Sequence, residues 1–241
     1  LGTKGLTLSL NINEGATMKN WPFVGGRVKS LSFDQEAGNH LKFSVELFGQ
    51  DKAATTAELG SATFPAENLR ADFNNLKVYT GTITRTGTGP DFTNFTFGSA
   101  TQLKPDKISV KIENGMEDIL RLGGLDYPDK TRMGQFKVSL ELTIDWEDPA
   151  SGFSSIDDFN AWLAASSSTN FCLHWDTGTQ AGTGDNHGLY IDLPIMERKG
   201  GEPDYSLDKD PMITLKYEGL YDATTAKYIA GILLKNTAVS V

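Results

Sequence analysis

The tripeptide Asp176-Thr-Gly178 is the stretch of the chain with the clearest possible chemistry. Aspartic proteases use this tripeptide, because two such carboxylates that meet can share a proton and activate water. The chain has a single copy, so this chemistry needs a second carboxylate, for example from a homodimer. Since Asp-x-Gly after a strand is also an ordinary turn, we interpret the tripeptide as a turn.

The remaining polar motifs also favour ordinary structural roles over catalysis or ligand binding. The histidines stand apart from one another, without HExxH or CxxC spacing: His40, His174 and His187. Asp176 to Asp185 offers oxygen donors but not the alternating spacing of a calcium loop. Thr86-Gly-Thr-Gly89 is followed by Pro90 and not by a lysine, unlike a phosphate-binding loop. We therefore expect no cofactor, no metal site and no enzymatic activity.

Alternation of apolar and polar residues is the main pattern of the chain. From Phe136 to Trp146 every second residue is apolar, which predicts a long strand with one buried and one wetted face. The same alternation recurs around residues 41–47, 107–113 and 213–218. We predict one mainly β domain over residues 1–241, with long loops.

Turn signals and capping residues divide the chain further. Residues 36–39 join a strand at 27–35 to one at 41–48 as a β-hairpin. Residues 50–76 are expected to form a long loop or excursion, and residues 114–131 a loop with at most one helical turn. One α-helix is predicted at about 153–166, capped by Ser154 or Ser155, with an apolar stripe of Ile156, Phe159 and Leu163.

The charge balance and the cysteine count exclude several classes of protein. The 241 residues carry a formal net charge of -9. This charge argues against a protein whose surface binds the phosphate backbone of nucleic acids. The single cysteine, Cys172, allows no intrachain disulfide and fits a buried strand position. No apolar run approaches the ~18–20 residues that span a bilayer. Because residue 1 is leucine, we expect that an upstream segment was cleaved or lies outside this numbering.

Several short motifs resemble the signature of the tail tube proteins of long-tailed bacteriophages. Residues 23–38 resemble the family's first signature strand and its Ala-Gly turn, and residues 41–50 resemble the second strand, which ends near glycine. The later order is also similar, through Ile112-Glu-Asn114, Leu122-Gly-Gly124, the strand 134–146, the helix 155–165 and Leu193-Pro194. The similarity covers nearly the whole chain, although family members usually have more chain before the first signature strand.

This resemblance implies a fold and an assembly. The expected fold is an antiparallel β-sandwich or partial barrel with one flanking α-helix. The expected assembly is a homohexameric ring that stacks into a tube, joins other phage tail proteins in the virion after assembly in the host cytoplasm, and carries DNA without specific binding or a membrane partner.

The resemblance also gives roles to acidic residues and to the long loop. Acids on polar strand faces are candidates for a channel wall that repels phosphate: Glu46, Glu113, Glu141, Asp145 and Glu218. Residues of the 50–76 segment are candidates for contacts between rings: Asp51, Lys52, Glu58, Phe64, Glu67 and Arg70.

Two alternatives stay open at this point. One is another ring-forming tail or baseplate protein, because the fold is shared. The other is a β-sandwich module that binds carbohydrate or protein, although Trp21, Trp146, Trp162 and Trp175 are scattered along the chain.

Overall fold

The computed structural model describes residues 6–14, 17–48, 51–52, 56–57, 71–88, 91–119, 122, 130–165, 167–180, 186–205 and 210–235. The described residues confirm a mainly β fold with one α-helix and a large antiparallel sheet, which is not closed into a barrel. In chain order the elements are β1 (Leu6–Glu14), β2 (Thr17–Glu36), β3 (Lys42–Phe48), β4 (Asp51–Lys52), β5 (Thr56–Ala57), a 3-10 helix (Phe73–Asn75), β6 (Leu76–Thr88), β7 (Asp91–Leu103), β8 (Lys107–Glu113), β9 (Met116–Ile119), β10 (Lys130–Met133), β11 (Lys137–Asp145), α1 (Ser155–Ala164), β12 (Ser168–Gln180), β13 (Asn186–Gly200), β14 (Pro203–Asp204), β15 (Met212–Gly219) and β16 (Gly231–Lys235).

The chain divides into two compact units. Unit 1 comprises Leu1–Leu31, Ser44–Asn68 and Ile112–Lys137, and unit 2 comprises Ser32–Phe43, Leu69–Lys111 and Val138–Val241. In unit 1 the first part of β2 pairs with β1, β4 and β5, while β9 and β10 form a separate two-stranded sheet. In unit 2 the strand order runs from the end of β2 through β8, β11, β15, β13, β12 and β6 to β7.

The main core of unit 2 lies on one face of these strands. The alternation predicted for β11 is observed, because Val138, Leu140 and Leu142 are fully buried. On β12 the core side chains are Phe171, Leu173 and Trp175, which are also buried. The indole Nε1 of Trp175 donates a hydrogen bond to Oε1 of Gln35 on β2 at 2.6 Å. Burial of large apolar side chains on both strands supplies the main stabilisation of this unit.

A second, smaller cluster lies on the opposite face of β12 and β13. Beyond Thr80 the β6–β7 hairpin no longer pairs with β12, and its residues 81–88 and 91–98, which we call the hairpin arm, pack over this outer face. The ring centroids of Phe95 and Tyr190 lie 5.4 Å apart. Cys172 is fully buried beneath the arm, as predicted. The arm therefore forms an additional layer on the sheet of unit 2.

A glycine and an asparagine set the point where the hairpin arm leaves β12. Gly81 has a φ of +92°, a conformation that side chains with a Cβ rarely adopt. The Asn170 side chain donates to the Gly81 carbonyl at 2.8 Å and accepts from the Gly81 amide at 2.9 Å. The asparagine thus satisfies the two backbone groups of Gly81 at the end of the β6–β12 ladder.

The α-helix begins and ends close to the predicted bounds. Ser154 is its N-cap and accepts from the Asp157 amide at 3.0 Å. The aromatic face contains Phe159 and Trp162, and Phe159 meets Trp146 edge to face with ring centroids 5.3 Å apart. The predicted stripe is wrong at Leu163, which is 62% exposed, because the helix turns Trp162 toward the protein instead.

The loop prediction for residues 114–131 is wrong in part. The segment 114–131 contains β9 and β10, which pair as an antiparallel ladder. Within the expected excursion 50–76, the short strands β4 and β5 pair with β2, and Leu76 already belongs to β6. β9 and β10 depend on each other, while β4 and β5 depend on β2. The periodicity of each of these short strands is weak on its own.

Strand β3 departs from its predicted burial. The hairpin that joins it to β2 is present, but its expected apolar face is not buried, since Phe43 is 56% and Val45 42% exposed. The strand pairs with β2 alone among the described strands, so it has the exposure of an edge strand. Phe43 contacts Phe33 with ring centroids 5.0 Å apart.

Candidate functional surface

The tripeptide Asp176-Thr-Gly178 lies inside strand β12, at the irregular part of its ladder with β13, and Gly178 has a φ of +70°. The Asp176 carboxylate accepts hydrogen bonds from the Gly178 amide at 2.9 Å and from the Asn186 side chain at 3.0 Å. The bond from the Gly178 amide, with that from Asn186, lowers the pKa of Asp176 below its usual range. The carboxylate therefore stabilises a local irregularity of β12. The prediction of a turn at the end of a strand is wrong here, because β12 continues to Gln180.

The histidines serve separate local contacts. The His174 ring stacks on Tyr190 with centroids 4.0 Å apart, and burial lowers the pKa of His174 to about 4. His40 contacts the Asp72 carboxylate, while the backbone carbonyl of His187 accepts from Thr177 Oγ1 at 3.0 Å. Within the described ranges, no three His, Cys, Asp or Glu residues gather as they would around a metal ion.

An extended polar surface lies on three neighbouring strands of unit 2. On β8, β11 and β15 every second side chain is buried in the core, so the intervening ones share the other face. We call the part of this surface that belongs to unit 2 the polar face. It comprises Lys107, Ser109, Lys111, Ser139, Glu141, Thr143, Asp145, Met212, Thr214, Lys216 and Glu218.

Cross-strand partners organise the polar face. Glu141 lies directly opposite Lys216 in the β11–β15 ladder, and the Lys216 Nζ–Glu141 Oε1 distance is 3.9 Å. The hydroxyls of Thr143 and Thr214 are also opposite each other and lie 3.0 Å apart. At the β8 side, Ser109 donates to the Asp34 carboxylate of β2 at 2.5 Å. The face is therefore an ordered array of hydroxyls and charges.

The charges on the polar face are mixed. Its acids are Glu141, Asp145 and Glu218, and its bases are Lys107, Lys111 and Lys216. The Glu141 and Lys216 side chains are each about half exposed, so their attraction is weak and screened by salt. This surface presents alternating charge and hydroxyl groups, which bind a polyanion less strongly than a purely basic groove would.

The predicted channel acids fall into two groups. Glu141, Asp145 and Glu218 lie together on the polar face of unit 2. Glu46 and Glu113 belong to unit 1. There Glu46 accepts from Lys29 Nζ at 2.6 Å and from the Ser30 hydroxyl at 3.2 Å.

The predicted inter-ring residues are described only at their start. Asp51 and Lys52 form β4, opposite Val24 and Phe23 of β2. The other four, Glu58, Phe64, Glu67 and Arg70, lie outside the described residues.

Two buried polar networks were not predicted from the sequence. Under the hairpin arm, Arg85 donates to both Asp192 oxygens at 2.8 and 2.9 Å, and the Tyr228 hydroxyl donates to Asp192 at 2.5 Å. Beside α1, Asp158 pairs with Arg198 and accepts from the Tyr217 hydroxyl at 3.0 Å. A signal was available for Asp192, because an acid inside the apolar run 189–195 needs a buried partner.

The tryptophans of the described aromatic contacts face the protein. Trp175 is buried, while Trp146 and Trp162 both pack against Phe159. An exposed tryptophan platform of the kind that binds sugars is therefore not built from these three residues, which weakens the carbohydrate alternative.

The comparison with protein families identifies the class of protein. The sequence profile described as "Phage tail tube protein" matches residues 7–219, and this span includes the polar face and the hairpin arm. No curated protein sequence matches the chain.

The chain belongs to the phage tail tube protein family. It is accordingly a structural component of the phage tail. None of the described helices has the length and apolar character needed to cross a membrane.

Proposed function

We propose that this chain is the repeating subunit of the tail tube, and that it forms homohexameric rings which stack into the conduit for DNA delivery. The proposal is supported by the family and by one structural observation, the polar face. A wide, ordered polar surface on core strands suits the wall of an aqueous channel, because the same strands supply a rigid core behind it. In the virion the subunits contact one another and other tail proteins.

The chemistry of the polar face suits rapid passage of DNA. Lysines attract phosphates and acids repel them, so alternating charges leave a small net interaction and a hydrated wall. Firm binding would need several lysines that neutralise phosphates together. We infer that DNA passes along this face without specific binding, and that acids such as Glu141 and Glu218 offset the lysines beside them.

Assembly of the purified protein tests the proposed function. Light scattering on the concentrated chain should detect species far larger than 26.2 kDa, and negative-stain microscopy should show rings or tubes. A chain that remains monomeric at all concentrations, and also with the other tail proteins, would contradict the proposal. Single rings that never stack would instead favour another ring-forming tail or baseplate protein.

A further inference from the structure

Strand β7 has an open edge that lacks the usual protection. It spans 13 residues and pairs with β6 alone among the described strands. From Phe92 to Leu103 it contains no charged residue and no proline. Proteins normally shorten an exposed edge or place lysine or proline on it, since unpaired N–H and C=O groups otherwise recruit another strand.

Most other edge strands of the described chain are short or carry charged residues, with one exception. β16 has five residues and ends in Lys235, β14 has two residues, and β3 carries Lys42 and Glu46. The exception is β1, which spans nine residues and pairs with no described strand except β2. Its single charged residue is Glu14, at its end. Within the part of the chain that the structure describes, β1 and β7 are therefore two long edges without internal charge.

We propose that β1 of one copy of this chain adds to the open edge of β7 of a second copy, as an antiparallel or parallel strand. This inference rests on the proposed self-assembly and names the edges that carry it. The added strand satisfies the outward backbone groups of β7 over most of its length. Two different edges are joined, so the contact is head-to-tail, and repeated contacts of this kind close into a ring or grow into a filament.

The composition of both strands fits such a ladder. β7 carries exposed Thr93, Thr96 and Ser99, and β1 alternates leucine or isoleucine with threonine, serine and asparagine. Threonine and serine form favourable cross-strand pairs. Neither residues 6–13 of β1 nor residues 92–103 of β7 include a charged residue, so pairing of these segments would not remove a charge from water.

Lysine substitutions at each edge test the proposal. The β7 variant is Thr96→Lys with Ser99→Lys, and the β1 variant is Ser9→Lys. Each should raise the concentration of half-assembly by about tenfold or more, which corresponds to ~1.4 kcal/mol. Ser168→Lys, at an exposed position of the inner strand β12, is the matched control and should assemble like the unmodified chain. Circular dichroism and thermal melting verify that each variant is folded.

Mixing the two variants identifies the partner edge. Each variant retains one intact edge, so a mixture can form a heterodimer through the intact β1 of one chain and the intact β7 of the other. Sedimentation at high concentration should show this dimer and no larger species. Each variant is also tested by itself. If the β1 variant assembles and the β7 variant does not, β7 edges pair with each other and the proposal is overturned.

Amide hydrogen exchange in the unmodified chain tests the same contact without any substitution. Assembly of the unmodified chain should slow amide exchange in both β1 and β7. If the unmodified chain assembles but exchange in these strands does not change, the edge assignment is wrong while the proposed function stands. If the unmodified chain never assembles, the proposed function fails first, and the edge assignment fails with it.

Discussion

Asp192 is fully buried, and it accepts hydrogen bonds from Arg85 at both carboxylate oxygens and from the Tyr228 hydroxyl at Oδ2. Arg85, which is 10% exposed at its side chain, holds it in a two-point ion pair, and Tyr228 adds a third hydrogen bond. Burial and the bond to Asp192 raise the pKa of Tyr228 above its ordinary value, so the phenol keeps its proton. These three residues tie β6, β13 and the segment before β16 together.

Breaking this ion pair should be more damaging than removing it. Asp192→Leu leaves the Arg85 guanidinium without its carboxylate and should lower the free energy of unfolding by about 3 kcal/mol or more. The double variant Asp192→Leu with Arg85→Met removes both charges and should lose less. Urea unfolding measures the difference, with Asp148→Asn at an exposed site as the control. A double variant at least as unstable as Asp192→Leu would contradict this account.

The pH dependence of stability should include a contribution from His174. Burial between aromatic rings lowers its pKa to about 4 in the folded chain, from an ordinary value of 6.5. Between these two values the unfolded chain binds a proton that the folded chain does not, so stability falls as the pH drops from 6.5 toward 4. His174→Phe should reduce this loss, measured as the free energy of unfolding at pH 7 and pH 4.5. His187→Phe should retain it, and equal slopes in the two variants would exclude the assignment.

At the scale of elements, the hairpin arm depends on the backbone at Gly81. Alanine there would be forced to a φ near +92°, although its Cβ would meet no atom within 4 Å. Gly81→Ala should therefore destabilise the protein by about 1–3 kcal/mol through backbone strain alone. Gly98→Ala in β7 is the matched control, because that site also has open space but no positive φ. Thermal melting compares the two, and equal melting temperatures would show that the bend does not need glycine.

The elements that could be predicted are those whose own pattern is strong. β11 alternates over its whole length, and α1 has a serine cap, early acids and an aromatic face, so local sequence defines both. β9 and β10 have four residues each and exist as a pair, which no local pattern shows. The fold-over of the hairpin arm likewise depends on contacts such as Phe95–Tyr190, which join residues far apart in sequence. For the polar face, alternation gave the correct side of each strand, but the cross-strand pairing of Glu141 with Lys216 required the register.

At the scale of the whole molecule, the polar face does not share the acidic excess of the chain. The chain has 31 acidic and 22 basic residues, yet the polar face of unit 2 carries three acids and three lysines. The excess of acids therefore lies elsewhere on the chain. A channel wall built from this face would carry alternating charges and would not be uniformly negative. Such a wall would limit DNA binding because its acids offset its lysines.

The acids of this face should determine how freely DNA moves in an assembled tube. Glu141→Lys with Glu218→Lys turns a balanced face into a basic one, and six-fold repetition multiplies each change around the channel. Tubes should still form, because both side chains lie outside the core, but DNA ejection should slow, and more so at low salt, where the Debye length is longer. Lys107→Glu with Lys111→Glu is the opposite charge change on the same face and should not slow ejection. Phage particles carrying each variant provide the measurement, as DNA release at two ionic strengths. Equal ejection rates for all variants would mean that this face does not line the channel, even if the chain forms the tube.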